Sequence, residues 1–595
     1  ALHVIMVDTS IAEVLPKIPE QTDGVLVSPL LRIGQSDFQK LIDGLIQKGL
    51  PSYSYLGMNE VEQGILATYT PKSTLLHLSR SVALLVHDIM RGEKPESLNA
   101  SFIVDRQPTI NMQTARAVRV YPNWFVLTEA DLLFEDRTDI PRVLSLDQAV
   151  LEAIEANLDL AVAEREVAAG AEQVLEARSV LLPQVGLGAS GTVIDEKRAQ
   201  AAGGLTPERA LTGTAAVSQL IYSDDAMTNY SVQQFAQLSR EEKRNTVRLD
   251  ITAEAGIAYL NYLRSKTFDN IQKSNLQLTR ANLERARLRV NIGVAGPEEL
   301  YRWESQIANS RQAVLRSESD TFNAINEMNR ILNRPLRESF MAQELTYKDP
   351  LQMVPTQDLF GYLNNQKQIN IFGDYVVMDG LETSPELQGL DELINAQERI
   401  VLSAERAFWL PDFSAQGEAS ELLSEDGEGQ RNDSPSNLDD TTWQVGVFAT
   451  FPLFKGGSKS ATRRRTQEEL QGLVLERSAT AERIERRILN AVNLIRASYP
   501  SITLSRDAAE ASNKNLELVT DAYERGVLPI ISLLDAQSRA LTDDLRATDA
   551  VYDFLSDLVL VQRAIGKYVF YENTAEHRLW FQNFAEYYNA IAPKY

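Results

Sequence analysis

The stretch RSVLLPQVGLGAS (178–190) returns at 406–420 as RAFWLPDFSAQGEAS. Each copy runs from an arginine, Arg178 or Arg406, through three small or apolar residues to Leu and Pro. Upstream of the first copy, residues 144–183 read as helix, starting from a capping box of Ser145 and Gln148 and ending at Pro183. Beyond Pro183 the period changes. Val185, Leu187, Ala189 and Val193 are apolar or small, whereas Gln184, Ser190 and Thr192 are polar, with Gly186 and Gly188 among them. A period of 2 has replaced 3.6, so helix becomes strand. In the second copy Phe413, Ala415, Gly417 and Ala419 alternate with Ser414, Gln416, Glu418 and Ser420. Pro183 and Pro411 thus mark two helix-to-strand junctions, and proline suits them because it withholds an amide hydrogen.

Each strand is followed by a polar loop and a returning strand, TAAVSQLIY (214–222) and TWQVGVFATFPLF (442–454). The second loop, 421–440, is acidic and rich in Gly and Ser. In the last strand Trp443, Val445, Val447, Ala449 and Phe451 share a face. The expected strands are about 184–194, 213–222, 412–421 and 441–453. Strands of about ten residues with one apolar face suit a tilted membrane strand. The same pattern also fits a soluble hairpin packed on a core. The bulky Phe408 and Trp409 of the second junction suit a lipid interface, where aromatic rings prefer to sit.

Each returning strand leads into a long helical segment. The first, 224–292, has no proline and would extend roughly 100 Å. It carries two stripes, Leu249, Ala253, Gly256, Leu260, Leu263 and Ile251, Ala255, Ala258, Tyr262, each stepping by four and three. The stripes face opposite ways, which suits a helix with a neighbour on each side, its small residues allowing close approach. The chain then reverses at Gly293 and again at Gly526; Pro297 or Pro529 follows, then a helix containing Gln306 or Gln537. Residues 145–340 and 384–570 therefore form two copies of one unit: helix, strand, loop, strand, long helix, tip, returning helix.

The bulk numbers bound the function. The net charge of −23 argues against nucleic acid as a partner. With no cysteine there are no disulfides, thiolate metal sites or cysteine nucleophiles. The four histidines (His3, His77, His87, His577) are too scattered to suggest a metal pair. No nucleophile, base or metal set converges, so no catalytic residue, metal or cofactor is assigned. No apolar run reaches eighteen residues, which disfavours a spanning α-helix. The opening ALHVIMVD has no basic n-region or cleavage site, so an export signal is expected outside this numbering.

Residues 1 to about 135 read differently, as alternating strand and helix. HVIMVD (3–8), DGVLVSPL (23–30) and PSYSYLG (51–57) are strand candidates. A helix is expected at 36–49, capped by Ser36 with Gln39 and closed by Gly49, and another at 74–92. Such alternation implies a parallel α/β layer. The stretches from SPLLRIGQ (28–35) to YTP (69–71) and PTINMQTARAVRVYPNWFVLTEADLL (108–133) resemble one lobe of the periplasmic substrate-binding proteins of ABC transporters.

The duplicated unit as a whole resembles the TolC family of outer-membrane efflux channels. LLP and WLP at the junctions, QLIYSDDA (219–226) and FPLFKGGS (451–458) at the strand-to-helix turns, and YERGVLPIISLLDAQ (523–537) at the second tip carry the resemblance. It implies a mixed fold: a periplasmic-binding-protein-like α/β lobe (1–138), then a TolC-like α-helical barrel plus a transmembrane β-barrel, four strands per chain and twelve in a homotrimer. The two repeats span 139–383, including an inter-repeat equatorial segment, and 384–570, followed by an equatorial tail at 571–595. The resemblance further implies an outer-membrane exit duct of a Gram-negative bacterium with a large periplasmic portion. It would serve tripartite efflux or type I secretion, with a periplasmic adaptor, an inner-membrane pump of possible ABC type and outer-membrane lipid as partners. Tyr523 and Asp535, with Glu298 and Glu299 at the first tip, match the pore gate; Ser532 stands where the family has a further Asp. Three copies of Asp535 near one axis would favour cations. Gly293, Val294, Ala295, Gly526, Val527 and Leu528 match the adaptor-contacting tips. The lobe is expected beside the belt at mid-tunnel. The alternative is a periplasmic receptor or scaffold, its hairpins packed rather than inserted in a membrane.

Overall fold

A computed structural model describes residues 3–7, 11, 14–30, 32–70, 107–135, 142–202, 205–291, 295–343, 361–430, 439–568 and 575–594, with short stretches between 79 and 97. The lobe holds a five-stranded sheet: β1 (Val25–Val27), β2 (Ser52–Ser54), β3 (Ala67–Thr68), β4 (Thr109–Asn111) and β5 (Asp131–Leu133), neighbours in that order. All its pairs are parallel except β3 with β4. The helix Gln35–Gln47 buries Phe38, Leu41, Ile42 and Leu45, one apolar stripe against this core.

Two expectations in the lobe fail. Residues 3–7 are not strand, although Ile5 and Val7 still pack on the core. Ser36 does not cap the Gln35–Gln47 helix; Gly34 occupies the cap without a side-chain bond, and Ser36 lies inside the first turn. Gly49 does close the helix at its C-terminal end, at φ 67°. Of the helix expected at 74–92, the residues described between 79 and 90 are helical, and Gly92 follows at φ 101°; the others lie outside the described residues.

The capping box of Ser145 and Gln148 forms, with both reciprocal bonds present. The helix it starts ends at Ala156, however. Asn157 leaves the helical region at ψ 132° and caps a second helix, Leu158–Ser179, by accepting from the amides of Asp159 and Leu160. Its side-chain Nδ2 donates to the Ile331 carbonyl at 3.1 Å. The break is thus anchored to the far end of the repeat.

At the first junction the chain tightens through Leu181 and Leu182, whose amides reach back three residues. The Gln184 side chain donates to the Ser179 and Leu182 carbonyls at and just beyond the helix end, bracing that turn. At the second junction Arg406 and Arg399 converge on the buried Asp224, at 3.0 and 3.1 Å. Burial alone would raise the Asp224 carboxyl, but bonds from Arg399, Ser403 and Arg406 hold it below its usual range. The end of one repeat's helix is thereby fixed to the start of the other's.

Of the strands that follow, β8 (Arg209–Tyr222) and β10 (Asp412–Asp426) run longer than expected, whereas β7 (Gln184–Val193) and β11 (Thr441–Thr450) stop short of the expected 194 and 453. The short β6 (Val143–Leu144) and β9 (Met341–Ala342) pair separately at mid-molecule. The sheet order is β7-β8-β10-β11, all antiparallel. Register puts Val185, Val217, Gly417 and Val445 in one cross-strand row and Leu187, Ala215, Ala419 and Trp443 in the next row on the same face. The opposite face has the row Gly188, Thr214, Ser420, Thr442. The apolar face is bare: Val185 is 73% exposed, Leu187 86% and Val445 75%. A soluble hairpin would bury these side chains, so the packed alternative lacks its core. At the junction end Trp409, Leu453 and Phe454 are also exposed.

The first long helix runs Asp224–Asn291 and its returning partner Pro297–Ile331; the second pair is Ser458–Glu524, with Pro500 inside it, and Ile530–Ile565. The first long helix packs on its returning partner and on the second returning helix, as well as on the strand-leading helices Leu158–Ser179 and Pro385–Arg406. Both of its stripes are therefore covered. Gly256 does not mediate the closest approach, since a Cβ there meets Val559 at an ordinary 3.6 Å. Gly380, on the helix Gln366–Thr383, does: a Cβ would lie 2.6 Å from Ile488 Cδ1 and 3.3 Å from Ile565 Cα.

The largest apolar cluster sits at mid-helix, where Tyr259, Leu260, Phe372, Ile488, Phe554 and Phe584 are buried together. The chain enters it from the lobe, the Tyr259 hydroxyl donating to the Leu144 carbonyl at 3.1 Å. The lobe body lies further toward the tip. Arg280 pairs with Asp131 at 2.9 Å and donates to the Thr128 and Ala130 carbonyls, and Lys273 reaches Glu135 at 2.6 Å. Lys273 also contacts Asp269 and Glu318; burial opposes its charge, but Glu135 and Asp269 raise its pKa. Lys273 and Arg280 are 10 and 17 residues past Leu263, or roughly 15 and 25 Å along the helix. These lobe contacts lie on the tip side of the mid-helix cluster rather than at it.

Candidate functional site

The two helix reversals lie side by side. At the second, Gly526 adopts φ 75°, a left-handed turn that suits glycine, and the Val527 amide returns to the Ala522 carbonyl at 2.9 Å. Pro529 then caps the returning helix. Val527 is 73% exposed, whereas Leu528 is half-buried. At the first reversal Ala295 is half-buried and its amide bonds the Arg289 carbonyl at 3.2 Å. Gly293 and Val294 lie outside the described residues.

Three side chains tie the reversals together. Tyr523, in the last turn of the second long helix, is fully buried, and its hydroxyl donates to Glu299 Oε1. Glu299 lies in the first turn of the first returning helix and is itself buried. Arg289, in the last turn of the first long helix, sits 3.3 Å from the same Glu299 oxygen and donates to the Tyr523 carbonyl at 3.0 Å. Its guanidinium also lies 4.7 Å from the Tyr523 ring centre. Burial pushes the Glu299 carboxyl up, and Arg289 only partly opposes it. A second ionic link, Arg285 to Glu524, spans 2.9 Å beside it.

Behind the cluster Trp303, Leu533, Leu283 and Ala286 form a small buried core. One layer further in, Gln537 accepts from Asn282 at 3.0 Å and donates to Asn275 and Thr279 at 2.9 and 2.7 Å. This network is satisfied by groups from both hairpins, so it fixes their register.

The structure therefore brings Tyr523 and Glu299 together and leaves Glu298 and Asp535 apart. Glu298 is exposed. Asp535 is exposed and pairs with Arg539 on its own helix at 3.0 Å. Sequence reasoning missed Arg289, Asn282 and the burial of Gln537. Gln306 and Gln537 stand at matching places in the two returning helices, but nothing local in the sequence marks Gln537 as buried. Among the described residues, no group of three or more acidic or histidine side chains could hold a metal, and no helix is long and apolar enough to cross a membrane.

A family model described as outer membrane efflux protein matches residues 149–334 and 381–567, the two repeats. The chain belongs to the outer membrane efflux protein family. This family consists of channels of the Gram-negative outer membrane without catalytic chemistry, and the chain is such an efflux channel. Outer membrane protein TolC of Escherichia coli strain K12 is 20% identical over 425 residues, covering 71% of this chain and 82% of that protein. Outer membrane efflux protein BepC of Brucella suis biovar 1 is 22% identical over 363 residues, 60% of this chain and 72% of that one. Among solved structures, the channel-forming protein CusC superposes with a TM-score of 0.59 at 16% identity, covering 71% of this chain and 92% of its own. The efflux-protein match begins at residue 149, past the five-stranded sheet.

Proposed function

We propose that three copies of this chain form a closed exit duct whose periplasmic end is shut by the Tyr523–Glu299–Arg289 cluster. The observation that carries the gate is that cluster: it joins the two hairpins by buried bonds that must break if one is to swing from the other. The sheet supports closure by neighbours. Among the described residues β7 and β11 each leave one edge unpaired, and an unpaired edge cannot face lipid. Pairing β7 of one copy with β11 of the next gives twelve strands around a polar lumen, with the Val185 and Leu187 face toward lipid.

The tip residues Gly526, Val527 and Leu528, with Gly293, Val294 and Ala295, form the docking ground for a periplasmic adaptor that hands substrate over from an inner-membrane pump. Exposed Val527 is the contact of choice. Glu298 and the three copies of Asp535 line the mouth and select against anions. The lobe, like one half of a periplasmic binding protein, braces the tip-side tunnel from outside. Native mass spectrometry of the detergent-solubilised protein tests the assembly, with a trimer expected and a monomer contradicting it. A Val527→Cys variant carrying a bifunctional reagent should capture an adaptor in the periplasm of the native host.

A further inference from the structure

The lobe ends in an aromatic surface that its own chain leaves bare. Tyr121 is 81% exposed, Trp124 61% and Phe125 81%. The stretch is held in shape: Asn123 caps the short helix Trp124–Glu129 by accepting from the Val126 amide, and the Thr128 carbonyl at its far end is gripped by Arg280. Aromatic side chains offer about 150–250 Å² each for burial, so three presented on a fixed support form a contact surface.

Its position names the occupant. On the tip side the tunnel helices of one copy pack in the order first returning, first long, second returning, second long. The first returning and second long helices are thus the two edges at which a ring must close. The Trp124–Glu129 helix packs on the first returning helix, one of those edges. The opposite edge, on the second long helix, presents Leu504, Ala511 and Leu518, all exposed and seven residues apart, hence on one face.

The heights agree. The lobe grips the first long helix at Lys273 and Arg280, which are 18 and 11 residues before its end at Asn291. Leu504, Ala511 and Leu518 are 20, 13 and 6 residues before the end of the second long helix at Glu524. Both helices rise about 1.5 Å per residue, so the stripe brackets the level at which the lobe is held.

We propose that the Tyr121–Trp124–Phe125 face is a strap between copies, packing on the Leu504–Ala511–Leu518 stripe of the neighbouring chain. The inference rests on the trimer proposed above. The lobe then works on the assembly rather than on a ligand: it bridges two chains beside the gate and resists separation of the walls there.

The chain lacks cysteine, so engineered pairs report alone. Phe125→Cys is combined in turn with Leu504→Cys, Ala511→Cys and Leu518→Cys in the full chain, and each variant is treated with a short bismaleimide. At least one pair should convert most of the protein to a covalent trimer on a denaturing gel. Native mass spectrometry of the untreated variants reads the trimer separately. A trimer by mass whose three pairs give only monomer bands overturns the strap and leaves the duct intact. A monomer by mass overturns both. A photoreactive residue at position 125 that captures an adaptor, not a second copy, also overturns the strap and assigns the face to that adaptor.

Discussion

The Tyr523 hydroxyl donates to the Glu299 carboxylate across 224 residues of sequence, joining the last turn of one long helix to the first turn of the other hairpin's return. Arg289 completes the contact from a third helix end. A buried carboxylate held this way resists separation of the hairpins, because opening exposes or orphans each of its partners.

Arg289→Ala removes one charge of a buried pair and leaves Glu299 with the tyrosine alone. Losing one partner of such a pair costs about 3–5 kcal/mol where burial is complete, and the lower end applies at this tip. Cells that depend on this duct should admit a large antibiotic that the intact outer membrane excludes, seen as a fall in its inhibitory concentration. Unchanged inhibition at equal expression would remove Arg289 from the gate.

Acid should favour the shut state. Burial raises the Glu299 carboxyl in the closed cluster, and opening returns it to water and its ordinary value. A raised carboxyl adds stability that is complete below the ordinary glutamate range and is lost as pH rises through the raised value. Open probability in planar bilayers should therefore increase with pH across that window, and Glu299→Gln should flatten the dependence.

Asp224→Asn leaves the Arg399 and Arg406 guanidinium groups facing each other without a carboxylate. The cost is about 3 kcal/mol, the lower end for a broken buried pair. It should appear as a lower urea midpoint for the detergent-solubilised protein. Retention of the wild-type midpoint would show that the two repeats are not held together there.

The glycines separate cleanly. Gly380→Ala drives a methyl toward the Ile565 backbone and should destabilise by about 1–3 kcal/mol. Gly256→Ala meets only ordinary contact and should stabilise by about 0.5–1 kcal/mol through helix propensity. Thermal unfolding of the two variants side by side measures the contrast.

The repeat, the junction prolines and the long helices were legible because each changes a period that a single sequence displays. Pro183 and Pro411 stand where helix becomes strand, and the capping box of Ser145 and Gln148 starts its helix as read. The break at Asn157 was not read: no Pro or Gly marks it, and its anchor, the Ile331 carbonyl, lies 174 residues away. At the tips Tyr523 was legible from its spacing to Gly526. Arg289 was not, because an arginine ending an exposed-looking helix carries no local sign of burial. Strand ends were misjudged for a related reason: β10 runs five residues past 421 because β8 extends back to pair with it.

The most direct test of the gate is single-channel conductance of the purified protein and of Tyr523→Phe in planar bilayers. That change deletes one hydrogen bond to a charged group, about 1.5–3 kcal/mol, or roughly ten- to a hundredfold in the closed-to-open ratio. The wild-type protein should insert as a discrete, mostly narrow channel, and Tyr523→Phe should raise the population of the wide state by that factor. Identical conductance histograms for the two proteins would contradict a gate held by Tyr523 and Glu299.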